Sequence, residues 1–138
     1  PEDILLSYKK IQGEGYDCVF GSRFIKGGRF TKYPFIKLIL NRIFNTWIRI
    51  ISGNKYNDFT NIFKVYHRRA IEAISPLYST SFSIGLEMSL KAFKRKLKIV
   101  IIPISWTQRK AGVSKLKLSK NFKLYMSTSR KSLKNESA

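Results

Sequence analysis

The chain of 138 residues has one cysteine, Cys18, and one histidine, His67. A lone cysteine excludes an internal disulfide and a cysteine-based zinc cluster. A lone histidine excludes His-rich metal sites and any mechanism needing two histidines within the chain. Acidic residues are scarce: 8 Asp and Glu stand against 27 Lys and Arg, a formal net charge of +19. Between Met88 and Asn135 there is no acid at all. No uncharged apolar run reaches the roughly 18 residues that would mark a spanning helix, and no secretory signal is visible.

What remains is a foldable basic domain. Hydrophobic residues make up 43% and aromatics 14%, which is enough to bury a core and excludes a disordered basic tail. The cation excess implies a polyanionic partner: nucleic acid, an anionic membrane surface, or a phosphate-bearing substrate. The length allows one domain at most.

Helical and strand signals alternate along the chain, which implies an α/β fold. "PEDILLSYKKI" reads as a first helix, with acids at its start and cations at its end. "YDCVF" reads as a strand ending at Gly21, and "FIKGGRF" as a glycine-hinged loop. The strongest helix spans Tyr33 to Ser52, with Pro34 in its first turn and Gly53 ending it. Lys37, Asn41, Asn45 and Arg49 form a narrow polar stripe on it, and the apolar arc covers more than half its circumference. That arc, with Ile39 and Phe44 in it, Trp47 at headgroup level and the cations of the stripe, is expected to lie in a membrane interface.

"NDFTNIFKVYHR" has turn residues followed by a strand, and a short helix follows near Arg69 to Ile74. Leu86, Leu90, Phe93 and Leu97 mark one face of a further helix. "KIVIIPIS" is a buried strand by its β-branched density, and Pro103 makes it an edge or bulged one. From Leu116 a basic helical tail is expected to fade out in "STSRKSLKNESA".

Four segments carry a resemblance: "GSRFIKGG", "NDFTNIFKVYHR", "SFSIGLEMSLKA" and "IPISWTQRKAGVSKLKL". Their order and spacing resemble those of family 2 glycosyltransferases, and most nearly the polyprenyl (dolichyl) phosphate mannosyltransferase branch. The pattern R-x-x-G-x-S-K falls on Arg109, Gly112, Ser114 and Lys115. The pattern D-x-T-[SN]-x-F-[RK] falls on Asp58, Thr60, Asn61, Phe63 and Lys64.

The resemblance implies the C-terminal part of a Rossmann-like nucleotide-diphospho-sugar transferase fold over residues 1–125, with residues 126–138 a basic polar tail. It implies transfer of a hexose, mannose first, from a nucleotide-sugar donor to a polyprenyl phosphate acceptor, with inversion, at the cytoplasmic face of a membrane. Mg²⁺ or Mn²⁺ would be held by an acidic motif outside this chain, whose first residues, Pro1 and Glu2, look like those that follow it. The expected reading is therefore a partial enzyme, inactive alone, with no metal ligands of its own; Glu2 and Asp3 simply begin a helix.

Within that resemblance, Arg23 is a contact for the acceptor phosphate, because a guanidinium offers paired donors to phosphate. Lys37 or Arg42 is a second such contact, and either fits. Asp58 is a catalytic residue, as general base or as organiser, since a lipid phosphate is already anionic. Glu87 stands beside the acceptor pocket, or else simply pairs with Lys91 four residues on. Arg109, with Gly112, Ser114 and Lys115, forms a lid on the donor diphosphate; Arg109 meets the charge that grows on the leaving group. A basic nucleic-acid-binding module and a non-catalytic membrane-surface module are the rival readings. The first lacks any helix-turn-helix, zinc-finger or RNP-type pattern.

Overall fold

The structure is a computed structural model that describes residues 2–80, 83–107 and 118–134. Its centre is strand β1 (Cys18–Ser22), in which every residue is buried. β1 pairs in parallel with β4 (Ile99–Pro103) and antiparallel with β3 (Lys64–Tyr66), giving the order β3-β1-β4. Asp17 fixes the start of this arrangement: its carboxylate accepts from the Lys98 amide at 2.8 Å and from Arg69 Nε at 2.6 Å. The fold is thus mixed α/β around a partly parallel sheet, as expected of a Rossmann-like glycosyltransferase domain. Pro103 closes β4, a strand flanked on one side only among the described residues.

Helix α1 (Glu2–Glu14) precedes the sheet. It runs one turn further than the sequence implies, so Lys10 no longer caps its end but pairs with Glu14 at 2.8 Å. The expected "FIKGGRF" loop contains a short strand, β2 (Arg29–Thr31), which pairs in parallel with β5 (Ser105–Thr107). Two glycines make this corner possible. A Cβ on Gly21 would lie 2.9 Å from the side chains of Ile104 and Phe63, and one on Gly28 would lie 2.7 Å from the Arg23 carbonyl. Both positions tolerate only hydrogen, and both border Arg23.

Helix α2 (Phe35–Ser52) ends at Gly53 in the left-handed conformation, φ 65°, which glycine adopts without a Cβ penalty. Then come α3 (Arg68–Ile74) and α4 (Ile84–Lys94). The "NDFTNIFKVYHR" segment yields only the short β3; its first half is a turn. The core is aromatic. Phe20 of β1 packs against Tyr56, Tyr66 and Phe93 with ring centroids 5.3–5.7 Å apart. Leu86 and Leu90 are buried in this cluster, and Phe93 and Leu97 pack on it.

The tail does not fade. Helix α5 (Leu118–Lys134) runs through the serine-rich stretch and buries Thr128, Ser129 and Ser132. Lys94 Nζ of α4 donates to the Leu133 carbonyl at 3.1 Å. Small hydroxyl residues let two helices approach closely, a signal that composition alone reads as a polar tail.

α2 is turned over relative to an ordinary surface helix. The middle of its polar stripe points inward, with Asn45 fully buried and Asn41 half-buried, while Arg49 at its end is exposed. Its apolar arc points outward, with Phe35 73%, Ile36 72%, Ile43 60% and Ile50 73% exposed. Phe44, Ile48 and Trp47 depart from the expected interfacial arc: Ile48 is buried in the core, and Trp47, expected at headgroup level, packs on it. Phe44 is buried there too, its ring 5.3 Å from that of Tyr125.

Candidate functional site

The inward stripe of α2 faces the turn between residues 57 and 64. Asn41 and Asn45 donate to Thr60 Oγ1 at 2.6 and 3.1 Å. From the other side Tyr56 Oη and Asn61 Nδ2 donate to the Gly21 carbonyl at 2.8 and 3.0 Å. Ser22 Oγ donates to Asn57 Oδ1 at 2.7 Å. Lys64 Nζ closes the turn from beneath, donating to the carbonyls of Phe59, Asn61 and Gly85 at 2.8, 2.6 and 3.3 Å. Burial pushes its ammonium down to about 7, the Asp58 charge opposing and Arg23 adding to the shift. Lys64 matches the basic position of the D-x-T pattern, and the one signal of its anchoring role is a cation in the first position of a strand.

This turn delivers Asp58, fully buried, to Arg23 at the end of β1. The Arg23 amide and Nε donate to Asp58 Oδ2 at 3.0 and 2.9 Å, and Nη2 donates to Oδ1 at 2.7 Å. Burial opposes the Arg23 charge, yet the Asp58 contacts outweigh it and raise the guanidinium's pKa. The fork expected to grip a phosphate therefore grips Asp58. Asp58 in turn has both oxygens engaged, the geometry of an organiser of backbone and charge.

Aromatic rings wall this pair. The Arg23 guanidinium lies 5.2 Å from the Phe24 ring, 5.5 Å from Tyr33 and 5.9 Å from Trp106. Arg42 of α2 also meets Phe24: it lies over that ring at 4.1 Å and donates to the Asn57 carbonyl at 2.9 Å. Burial, with Arg23 and Arg49 nearby, lowers its pKa against the pull of Asp58. Lys37, half-buried on the same helix, makes no hydrogen bond or ion pair among the described residues. Two guanidiniums, Arg23 and Arg42, against one carboxylate leave the cluster cationic.

Glu87 is placed elsewhere. It is buried, and it accepts from the amides of Tyr78 and Ser79 at 2.9 and 2.7 Å and pairs with Lys91 at 2.9 Å. Its contacts hold the 75–80 segment and do not reach Arg23 or Asp58. Arg109, Gly112, Ser114 and Lys115 lie outside the described residues. Their root does not: β5 sets Trp106 against Tyr33, centroids 5.0 Å apart, beside Arg23. His67 caps α3, its Nδ1 accepting from the Arg69 amide at 3.2 Å. Cys18 is buried in the core, its thiol pushed up to about 12 by burial.

Among the described residues no group of three His, Cys, Asp or Glu side chains is placed to hold a metal ion. The one carboxylate of the cluster, Asp58, is bound to Arg23. These residues do not fit a divalent cation site.

No protein-family model matches the chain. It is similar to the polyprenol monophosphomannose synthase of Mycolicibacterium smegmatis, 31% identical over 104 residues, or 74% of this chain and 39% of that protein. It is 26% identical to the undecaprenyl-phosphate mannosyltransferase of Micrococcus luteus over 72% of this chain and 42% of that one. It is 25% identical to the dolichol-phosphate mannosyltransferase of Pyrococcus furiosus over 85% of this chain and 33% of that one. The chain thus spans about two fifths or less of the length of these curated relatives. Over most of its own length it is similar to a part of the polyprenol-, undecaprenyl- and dolichol-phosphate mannosyltransferase-type glycosyltransferases.

Proposed function

We propose that this chain is the acceptor-side portion of a glycosyltransferase that moves a hexose, mannose first, from a nucleotide-sugar to a polyprenyl phosphate at the cytoplasmic face of a membrane. The observation that carries the reading is the double orientation of α2. Its inner stripe completes the cationic cluster, and its outer arc is apolar and exposed. A lipid phosphate needs both features within one helix diameter: an aqueous-side anion site and an apolar surface for the membrane that holds the chain. No helix among the described residues is long and apolar enough to cross a membrane, so α2 would lie in the interface plane.

In this reading Lys37 and Arg42 hold the acceptor phosphate. Arg23 and Asp58 position them, and the aromatic walls exclude water. The anionic phosphate oxygen attacks the anomeric carbon from the side opposite the donor diphosphate. One C–O bond forms as the other breaks, the nucleoside diphosphate leaves, and the configuration inverts. No proton has to be removed from the acceptor, so Asp58 serves as a positioning residue. Arg109 and Lys115, across Gly112 and beside Ser114, would meet the charge on the departing diphosphate. Mg²⁺ or Mn²⁺, as the resemblance implies, would be bound by residues outside this chain.

Titration of the chain with farnesyl phosphate and with farnesol, followed by amide NMR, tests the reading. The phosphate should shift signals around Arg42, Asn57 and Lys37, and the alcohol should not. Replacing both Lys37 and Arg42 by Ala should weaken binding at least about tenfold. Equal response to both ligands, or salt-sensitive binding to duplex DNA with none to the isoprenoid phosphate, would favour a general basic module.

A further inference from the structure

Between Cys18 and Asn57 the chain has no acidic residue. Three of the cations there, Lys26, Arg29 and Lys32, stand on the stretch that leads from β1 through β2 into α2, and all three are exposed. Their side chains make no hydrogen bond or ion pair among the described residues. Arg23 and Arg42, by contrast, are engaged within the protein. Lys32 carries a second signal. Its φ is 57°, in the left-handed region, which glycine adopts freely and a lysine only at a cost. The turn alone would be served better by glycine or asparagine. What lysine adds is an ammonium group in water.

Apolar side chains interleave with these cations. Phe30 is 40% exposed, and Phe35 and Ile36, which open the outward arc of α2, are 73% and 72% exposed. Only Tyr33 and Pro34 separate Lys32 from that arc. Exposed cations beside exposed apolar groups match the boundary of an anionic bilayer. The headgroups meet the charges, and the acyl edge receives the rings and the aliphatic side chains. A nucleic acid would meet the charges and leave Phe30, Phe35 and Ile36 in water.

We propose that residues 26–32 form a second membrane contact, in which Lys26, Arg29 and Lys32 bind the headgroups of anionic lipids beside the arc of α2. The proposal rests on the reading of α2 as an interfacial helix and adds to it. α2 supplies apolar insertion. The 26–32 stretch supplies selection for negative charge and holds the start of α2, where Tyr33 lies over Arg23, at headgroup level.

The test is partitioning of the full chain onto two kinds of vesicle at physiological ionic strength: phosphatidylcholine alone, and a two-to-one mixture of phosphatidylcholine and phosphatidylglycerol. A Lys or Arg close to an anionic surface is worth about fivefold in affinity. Lys26→Gln, Arg29→Gln and Lys32→Gln combined should therefore lose about a hundredfold on the mixed vesicles and little on phosphatidylcholine. A control with the same loss of charge, Lys9→Gln, Arg68→Gln and Lys96→Gln, takes exposed cations from α1, α3 and the turn between α4 and β4. It should lose less than about threefold, because salt screens charges that do not touch the surface. Lys32→Gly separates the contact from folding: it relieves the backbone, so the melting temperature should hold or rise, yet partitioning onto the mixed vesicles should fall about fivefold. Equal losses for the two triple variants, no loss for the first, or undiminished partitioning of Lys32→Gly would overturn the proposal. So would a first triple variant that loses binding to duplex DNA and keeps its vesicle partitioning, which would make the stretch a nucleic-acid contact. Ile36→Asp with Ile50→Asp reports on α2 separately. If that variant loses partitioning and the first triple variant does not, the headgroup contact fails and the reading of α2 stands; the reverse pattern upholds the contact and removes the reading of α2.

Discussion

Two buried ion pairs sit in this molecule and do different work. Arg23–Asp58 joins residues 35 apart in sequence and stitches the end of β1 to the turn before β3. Glu87–Lys91 joins neighbours on one helix and holds the adjoining 75–80 segment by its amides. The first is enclosed by aromatic rings, with one partner fully buried. The second opens on a hydroxyl-lined cavity. A buried pair is weak evidence of net stability, but removing one partner strands the other. The comparison predicts that stranding hurts more where no solvent or alternative partner is at hand.

Asp58→Ala should therefore have the largest effect, about 3–5 kcal/mol in urea denaturation, because Arg23 is left charged and enclosed. Glu87→Ala should cost about half as much, since Lys91 keeps the Pro76 carbonyl and borders a cavity. Equal losses would erase the distinction. Arg23→Lys comes next, at about 1–3 kcal/mol, because a single ammonium cannot reproduce the paired Nε and Nη2 grip on both carboxylate oxygens, although the backbone amide still donates.

The smallest effects are those of pH. Burial favours the neutral form of Glu87, but the amides of Tyr78 and Ser79 and the Lys91 bond outweigh it and hold its pKa below the ordinary value. Asp17 is held low chiefly by the Lys98 amide, with Arg69 adding to it. Both contributions are present above the unfolded carboxylate range and are lost as pH falls through the folded values. Lys64 has the opposite window. Its folded value of about 7 lies below its ordinary 10.5, so between them the unfolded chain binds more protons and stability rises with pH. Above about 10 the buried Tyr56 and Tyr66, both pushed up by burial, reverse the trend. Lys64→Met should flatten the rise between pH 7 and 10, as measured by denaturation at stepped pH.

What was legible in the sequence follows the same division between local and distant. The Glu87–Lys91 pair, the Gly53 stop and the Leu86–Leu90 face are short-range patterns, and they stand as read. Four spaced motifs resemble the same class of proteins to which the whole-chain similarity points. The Arg23–Asp58 fork could not be read, because nothing local tells a guanidinium whether its partner is a ligand or a carboxylate 35 residues away. The direction of α2 was equally hidden. A polar stripe on a helix ordinarily faces water; here Thr60 and Asn57 supply its partners inside, and the apolar arc is left outside. Composition alone ends α5 early, because serine and threonine look like a tail until a second helix packs on them.

The central claim is that α2 turns its apolar arc to a membrane while its polar stripe serves the site. Partitioning of the chain onto anionic vesicles tests it most directly, with Ile36→Asp and Ile50→Asp combined. Both residues are more than two-thirds exposed, so the melting temperature should not change. Each withdraws an apolar side chain worth about 1.5–3 kcal/mol when buried, so partitioning should fall by about a hundredfold or more. Undiminished partitioning by a folded double variant would contradict the account.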